Sequence, residues 1–167
     1  METSKALLKS IKQAINDEAV GESIYKKAEQ DAKDLNVKKF FKKMADEEKG
    51  HIVYLKKLYQ YMDKETDIHD LVQDVRYNFN PSKELFTKDF LDDMKKQSSL
   101  LLALNKSAKL EKNAVKFYTD CQKMAKDEQT KNFFGAMATW ENSHLNQILD
   151  IFESLDDEEI AYKQDDL

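Results

Sequence analysis

Four stretches of this chain carry apolar residues at intervals of three and four, and each of these seams is broken near its middle by an acid. The first reads Leu8, Ile11, Ile15, Glu18, Glu22, Tyr25 and the second Phe41, Met44, Glu48, His51, Leu55, Leu58. The third reads Leu101, Leu104, Ala108, Glu111, Val115, Tyr118 and the fourth Phe134, Met137, Glu141, His144, Ile148, Ile151. Such spacing places each set on one face of a helix. The chain is therefore expected to be all-α, a four-helix bundle whose buried faces bring four glutamates and two histidines inside. The seams predict helices over roughly 4–32, 37–62, 98–125 and 130–155, with Asn36 and Thr130 as caps accepting from first-turn amides. With 1 proline and 3 glycines in 167 residues, a turn-rich β architecture is excluded.

The gaps at 33–36 and 126–129 are short and make two antiparallel hairpins, 4–62 and 98–155. Between them, 63–97 is long enough to cross the whole bundle, so the third helix can begin at the opposite end from where the second finishes. This crossover holds the single proline, Pro81, and the stretch SKELFTKDFLDDMKK from Ser82 to Lys96 reads as a shorter amphipathic helix. The bundle is expected to occupy residues 1–155. The acidic tail, 156–167, is expected to fray or to serve as an interaction segment.

The two hairpins repeat one another at an offset of 93. Glu18 falls on Glu111, Tyr25 on Tyr118, Ala32-Lys33-Asp34 on Ala125-Lys126-Asp127, and Phe40-Phe41 on Phe133-Phe134. Met44-Ala45 falls on Met137-Ala138, Glu48 on Glu141 and His51 on His144. The register gives 12 identities in 42 ungapped positions, against about two or three from composition, so a pseudo-two-fold axis should relate the halves. Shared lysines, alanines and phenylalanines are ordinary in helical hairpins. They do not explain why two of only 3 histidines match in register.

Four carboxylates in a bundle core would lose their hydration, and an unpaired buried charge is very costly. Two divalent cations resolve this, setting +4 against −4. Each half supplies a glutamate on its first helix, Glu18 or Glu111, and a Glu-x-x-His on its second, Glu48-His51 or Glu141-His144. Two glutamates can bridge the ions while one further glutamate and one histidine complete each sphere, the arrangement of di-iron helix bundles. Mixed carboxylate and imidazole donors suit Fe or Mn, and Zn competes well for such a site. The alternative, Glu and His on solvated faces, needs four apolar stripes to break at matching heights by chance.

Composition narrows the remaining classes. The net charge of −5, from 32 acids and 27 bases, argues against a general nucleic-acid partner. No apolar run reaches the length of a membrane span, and the opening METSKALLKS lacks a signal-peptide core, so the expected location is the cytoplasm. A single cysteine, Cys121, excludes an internal disulfide or a Cys-rich metal module.

On these residues the sequence resembles the ferritin-like superfamily, and most closely its rubrerythrin-type di-iron domain, along residues 4–62 and 98–155. In that family a first-helix glutamate is followed seven residues later by a tyrosine, as Glu18 is by Tyr25 and Glu111 by Tyr118, and the next helix carries Glu-x-x-His. The resemblance implies terminal ligands Glu18 and Glu111, bridging ligands Glu48 and Glu141, and one histidine per metal, His51 and His144. It makes Tyr25 and Tyr118 donors to the ligand carboxylates. It implies two Fe ions, peroxide or dioxygen as substrate, an external electron-donor protein and a homodimer.

Two departures stand out. The four-cysteine rubredoxin domain of full-length rubrerythrins has no counterpart in these residues, and Ala114 stands where the family carries an extra glutamate. The expected activity is peroxide reduction in oxidative-stress defence. Ferroxidase with iron storage or delivery, or a non-catalytic helical interaction protein, are the alternatives. Among the other residues, Glu22 reads as a rim acid, Cys121 as a buried thiol, His69 as a surface residue and Trp140 as a packing residue. The lysine pairs at 38–39, 42–43 and 56–57 read as helix surface.

Overall fold

The four long seams form the helices that their periodicity calls for. The computed structural model describes residues 2–64 and 86–165, with side chains over 5–62 and 86–156. The helices are α1 (Glu2–Asp31), α2 (Leu35–Lys64), α3 (Lys88–Lys96), α4 (Ser98–Met124) and α5 (Glu128–Asp165). Helix α1 packs along α2, α4 along α5, and α1 along α4, while the short α3 lies against α2, α4 and α5. Among the described residues no helix is long and apolar enough to cross a membrane.

The buried apolar residues form two groups at opposite ends of the bundle. One gathers Ala28 and Ala32 of α1, Phe40 and Phe41 of α2, Phe90 and Met94 of α3, Leu100 and Leu104 of α4, and Ile148 and Ile151 of α5. The other gathers Leu7 and Ile11 with Leu55 and Leu58, Tyr118 and Cys121, and Phe133, Phe134 and Met137. Helix α4 thus starts at the end where α2 starts, so α2 and α4 run parallel, as the long crossover requires. This is the ferritin-like arrangement expected from the sequence. Cys121 is buried, and burial pushes its thiol up to about 11.

The halves also match in their contacts. Phe40 meets Phe41 edge-on at 5.1 Å between centroids, and Phe133 meets Phe134 edge-on at 5.5 Å. Tyr25 lies 6.2 Å from Phe41, and Tyr118 lies 6.2 Å from Phe134. The two edge-on phenylalanine pairs add about 0.5–1.5 kcal/mol each beyond their burial.

Three local expectations are corrected. The caps of α2 and α5 are Asp34 and Asp127, not Asn36 and Thr130, which lie inside the first turns. The Asp34 carboxylate accepts from the amides of Asn36 (2.8 Å) and Val37 (3.0 Å), and Asp127 accepts from that of Thr130 (2.7 Å). A carboxylate at the N-cap both satisfies orphan donors and faces the positive end of the helix. Asp93 of α3 then fastens the first turn, accepting from the amides of Lys33 and Asp34 at 2.8 and 2.7 Å. Within the crossover, the described helix begins at Lys88, where Thr87 accepts from the Phe90 amide. His69, Pro81 and the start of the stretch from Ser82 lie outside the described residues. Finally, α5 does not stop near Leu155 but continues to Asp165.

Candidate metal centre

Between the two apolar ends, all six inward acids and histidines meet. Glu18, Glu48, His51, Glu111, Glu141 and His144 are all buried, with Glu141 and both histidines at 0% exposure. They form two sets of four. Ligand atoms of Glu18, Glu48, His51 and Glu141 lie within 4.8 Å of one another, and so do those of Glu48, Glu111, Glu141 and His144. Glu48 and Glu141, the two Glu-x-x-His acids, belong to both sets.

Both histidines turn Nδ1 toward the shared acids. His51 Nδ1 lies 2.8 Å from Glu141 Oε1, 3.2 Å from Glu18 Oε2 and 3.5 Å from Glu48 Oε2. His144 Nδ1 lies 3.3 Å from oxygens of Glu48 and Glu141 and 3.6 Å from Glu111 Oε2. The two rings stack at 5.4 Å between centroids. Each tyrosine crosses to the opposite half: the Tyr25 hydroxyl donates to Glu111 and the Tyr118 hydroxyl to Glu18. Burial and then the neighbouring carboxylates hold both phenols well above their usual range, so they stay protonated and remain donors.

The protons report how this cluster is balanced. Burial, then the charges of Glu141 and Glu48, holds the Glu18 carboxyl well above the usual range. Burial, with the charge of Glu48, pushes Glu111 up to about 8. Burial would also raise Glu48 and Glu141, but contacts from Glu18, His144 and His51 bring Glu48 well below the usual range, and the His51 charge lowers Glu141. Burial would lower both imidazoles. Glu141 instead carries His51, and Glu111 carries His144, well above the ordinary value. Without metal these shifts run toward protonation of Glu18, Glu111, His51 and His144 and toward ionisation of Glu48 and Glu141. Those protons occupy the electrostatic role of a pair of divalent cations.

The residues fit such a pair on a second observation. Glu48 Oε1, both oxygens of Glu141 and His144 Nδ1 are buried without a hydrogen-bond partner. Polar atoms that converge in a protein core without a hydrogen bond are expensive, and a cation satisfies them.

A cleft of about 400 Å³ reaches the cluster from the α1–α4 side, lined by Glu18, Gly21, Glu48, Glu111, Ala114, Phe117, Tyr118 and Glu141, with Asp17 and Asp120 also on its wall. Gly21 and Ala114 are repeat mates, so small residues from both halves keep it open. Glu22 does not join the cluster; it pairs with Lys26 at 2.5 Å.

On the α2–α5 side lies a residue that sequence reasoning missed. Glu47 Oε2 sits 2.6 Å from His144 Nε2 and accepts from Trp140 Nε1 at 3.3 Å. Burial would raise its carboxyl, but the hydrogen bond and charge of His144 bring it below the usual range. Trp140 packs edge-on against His51 at 4.4 Å, as its reading as a packing residue expects. Glu47 lies beside the seam rather than on it. The signal that could have found it is its repeat mate: at the offset of 93, Glu47 falls on Trp140, a mismatch directly preceding two matched glutamates.

Comparison with known proteins agrees with this picture. No curated protein and no solved structure matches the chain. The family model for rubrerythrin matches residues 9–99 and 103–166, nearly the whole chain and both sets of acids and histidines, so the chain belongs to the rubrerythrin family.

Proposed function

We propose that this protein is a non-haem di-iron oxidoreductase that reduces hydrogen peroxide with electrons from an external protein donor. The observation that carries the reading is the pair of four-residue sets sharing Glu48 and Glu141. Glu18 and His51 would hold one ion, Glu111 and His144 the other, and Glu48 and Glu141 both. Bound there, two ferrous ions supply the two electrons that, with two protons, turn one hydrogen peroxide into two waters. Mn is the alternative native ion and Zn the substitute that could displace either.

The chain's own residues account for the rest. Tyr25 and Tyr118 fix Glu111 and Glu18, so the terminal carboxylates do not swing away from the shared pair. Gly21 and Ala114 leave room for a molecule the size of peroxide beside Glu18, Glu48, Glu111 and Glu141. The apolar groups close the bundle at both ends, which leaves the α1–α4 cleft as the approach to the buried acids. These 167 residues contain one cysteine, buried and with its thiol raised. A four-cysteine electron relay is thus absent from them, and the donor is a separate protein or domain.

The test is a stopped-flow experiment on iron-loaded, anaerobically reduced protein. The expected result is consumption of one peroxide per iron pair, faster than oxidation by dioxygen and lost in Glu48→Ala. Equal behaviour of the wild type and Glu48→Ala would refute the proposal. Faster reaction with dioxygen would transfer the assignment to a ferroxidase.

A further inference from the structure

The two halves of the cluster are matched in their ligands but not in what stands behind their histidines. Position 47 precedes Glu48 on α2, and position 140 precedes Glu141 on α5. One holds glutamate and the other tryptophan. His144 Nε2 is 2.6 Å from the Glu47 carboxylate, whereas His51 Nε2 is buried with no hydrogen-bond partner. Against His51 lies instead the indole of Trp140, edge-on at 4.4 Å. Its one polar group is a donor, which it gives to Glu47 rather than to a histidine.

We infer that Glu47 is a positioning residue that makes the two metal positions unequal, strengthening the His144 position while the His51 position goes without such support. The inference rests on the metal-binding reading above and extends it to the order of binding. A carboxylate on the outer nitrogen fixes the tautomer, so the Nδ1 lone pair of His144 faces Glu48, Glu111 and Glu141, and it makes that nitrogen a stronger donor. The outer edge of the His51 ring is held by packing alone, and its outer proton stays unsatisfied when Nδ1 binds a cation. The position shared by Glu111, Glu48, Glu141 and His144 therefore fills first and empties last.

Cobalt(II) titration of the metal-free protein, followed by its visible absorption bands and by calorimetry, tests this without any turnover. The wild type is expected to bind two ions in two resolved steps. Glu47→Leu is expected to weaken the tighter step about 10–100-fold, in line with the loss of an outer-shell partner, and to leave the weaker step unchanged. Glu47→Gln keeps an acceptor without the charge and should fall between the two. Thermal melting of each metal-free variant separates this from a fault in folding. Two bound ions with both constants unchanged in Glu47→Leu would overturn the inference and leave the metal-binding reading standing. Equal weakening of both steps, alongside a lower metal-free melting temperature, would also overturn it. A wild-type protein that takes up no cobalt would overturn both.

Discussion

The Tyr25 hydroxyl donates to Glu111, 86 residues further along the chain, and its repeat mate Tyr118 donates to Glu18. Each half of the molecule thus holds a carboxylate of the other, and the cluster cannot form within one hairpin. Replacing Tyr25 or Tyr118 with phenylalanine leaves a buried carboxyl oxygen without its donor, at a cost of about 1–3 kcal/mol. Each variant should lose that much in urea denaturation of the metal-free protein. Its metal affinity should fall as well, because the freed carboxylate is no longer aimed.

The metal-free protein should become less stable as pH rises from the ordinary carboxylate range through about 8. Glu111 is raised to about 8, so its contribution is full below the ordinary carboxylate range and is lost as pH rises through about 8. Glu18 acts in the same sense. His51 and His144 are raised as well, so their contributions are full below about 6.5 and fade as pH passes their higher folded values. Glu48 and Glu141 are lowered, and their contributions are lost only in acid. Melting temperatures in the presence of a chelator should therefore fall across this window, and loading the protein with metal should abolish the fall. The same protons should leave when metal binds. A pH-stat at neutral pH should record release of up to four per metal pair, one each from Glu18, Glu111, His51 and His144.

The cleft beside Gly21 and Ala114 should control access. Ala114→Leu is expected to slow the reaction with peroxide while leaving two metals bound, as read by metal analysis and stopped flow. Gly21→Ala brings a methyl group only into ordinary contact with Glu48, 3.6 Å from its Cγ and Cδ. It also removes a glycine from a helix interior. It should raise stability by about 0.5–1 kcal/mol and narrow the cleft far less than leucine does.

The hairpin turns should depend on their aspartates. Asp34→Ala and Asp127→Ala should each cost about 1 kcal/mol in denaturant unfolding, whereas Asn36→Ala should stay within about 0.5 kcal/mol.

The bundle, its long crossover and the six converging side chains were legible in the sequence because helical periodicity fixes which face a residue occupies. Glu48 and His51 three apart on an apolar seam have nowhere to point but inward, and the matched register of Glu141 and His144 doubled that signal. Periodicity does not say what a residue meets across the bundle. The exchange of Tyr25 and Tyr118 between halves depends on how α1 packs on α4, which no spacing along either helix encodes. Glu47 was hidden for a related reason: one position off the seam it reads as surface, and only the approach of α5 makes it a partner of His144. The caps were misplaced because Asp34 and Asp127 stand outside the periodic pattern. Their own repetition at the offset of 93 was visible, and the structure supplies its cause.

The most direct measurement is anomalous diffraction at the iron edge from crystals of iron-loaded protein. Two peaks are expected, one bounded by Glu18, Glu48, His51 and Glu141 and the other by Glu48, Glu111, Glu141 and His144. A map with no peak among these six side chains, from protein shown to be folded and exposed to iron, would contradict the dinuclear centre and everything derived from it.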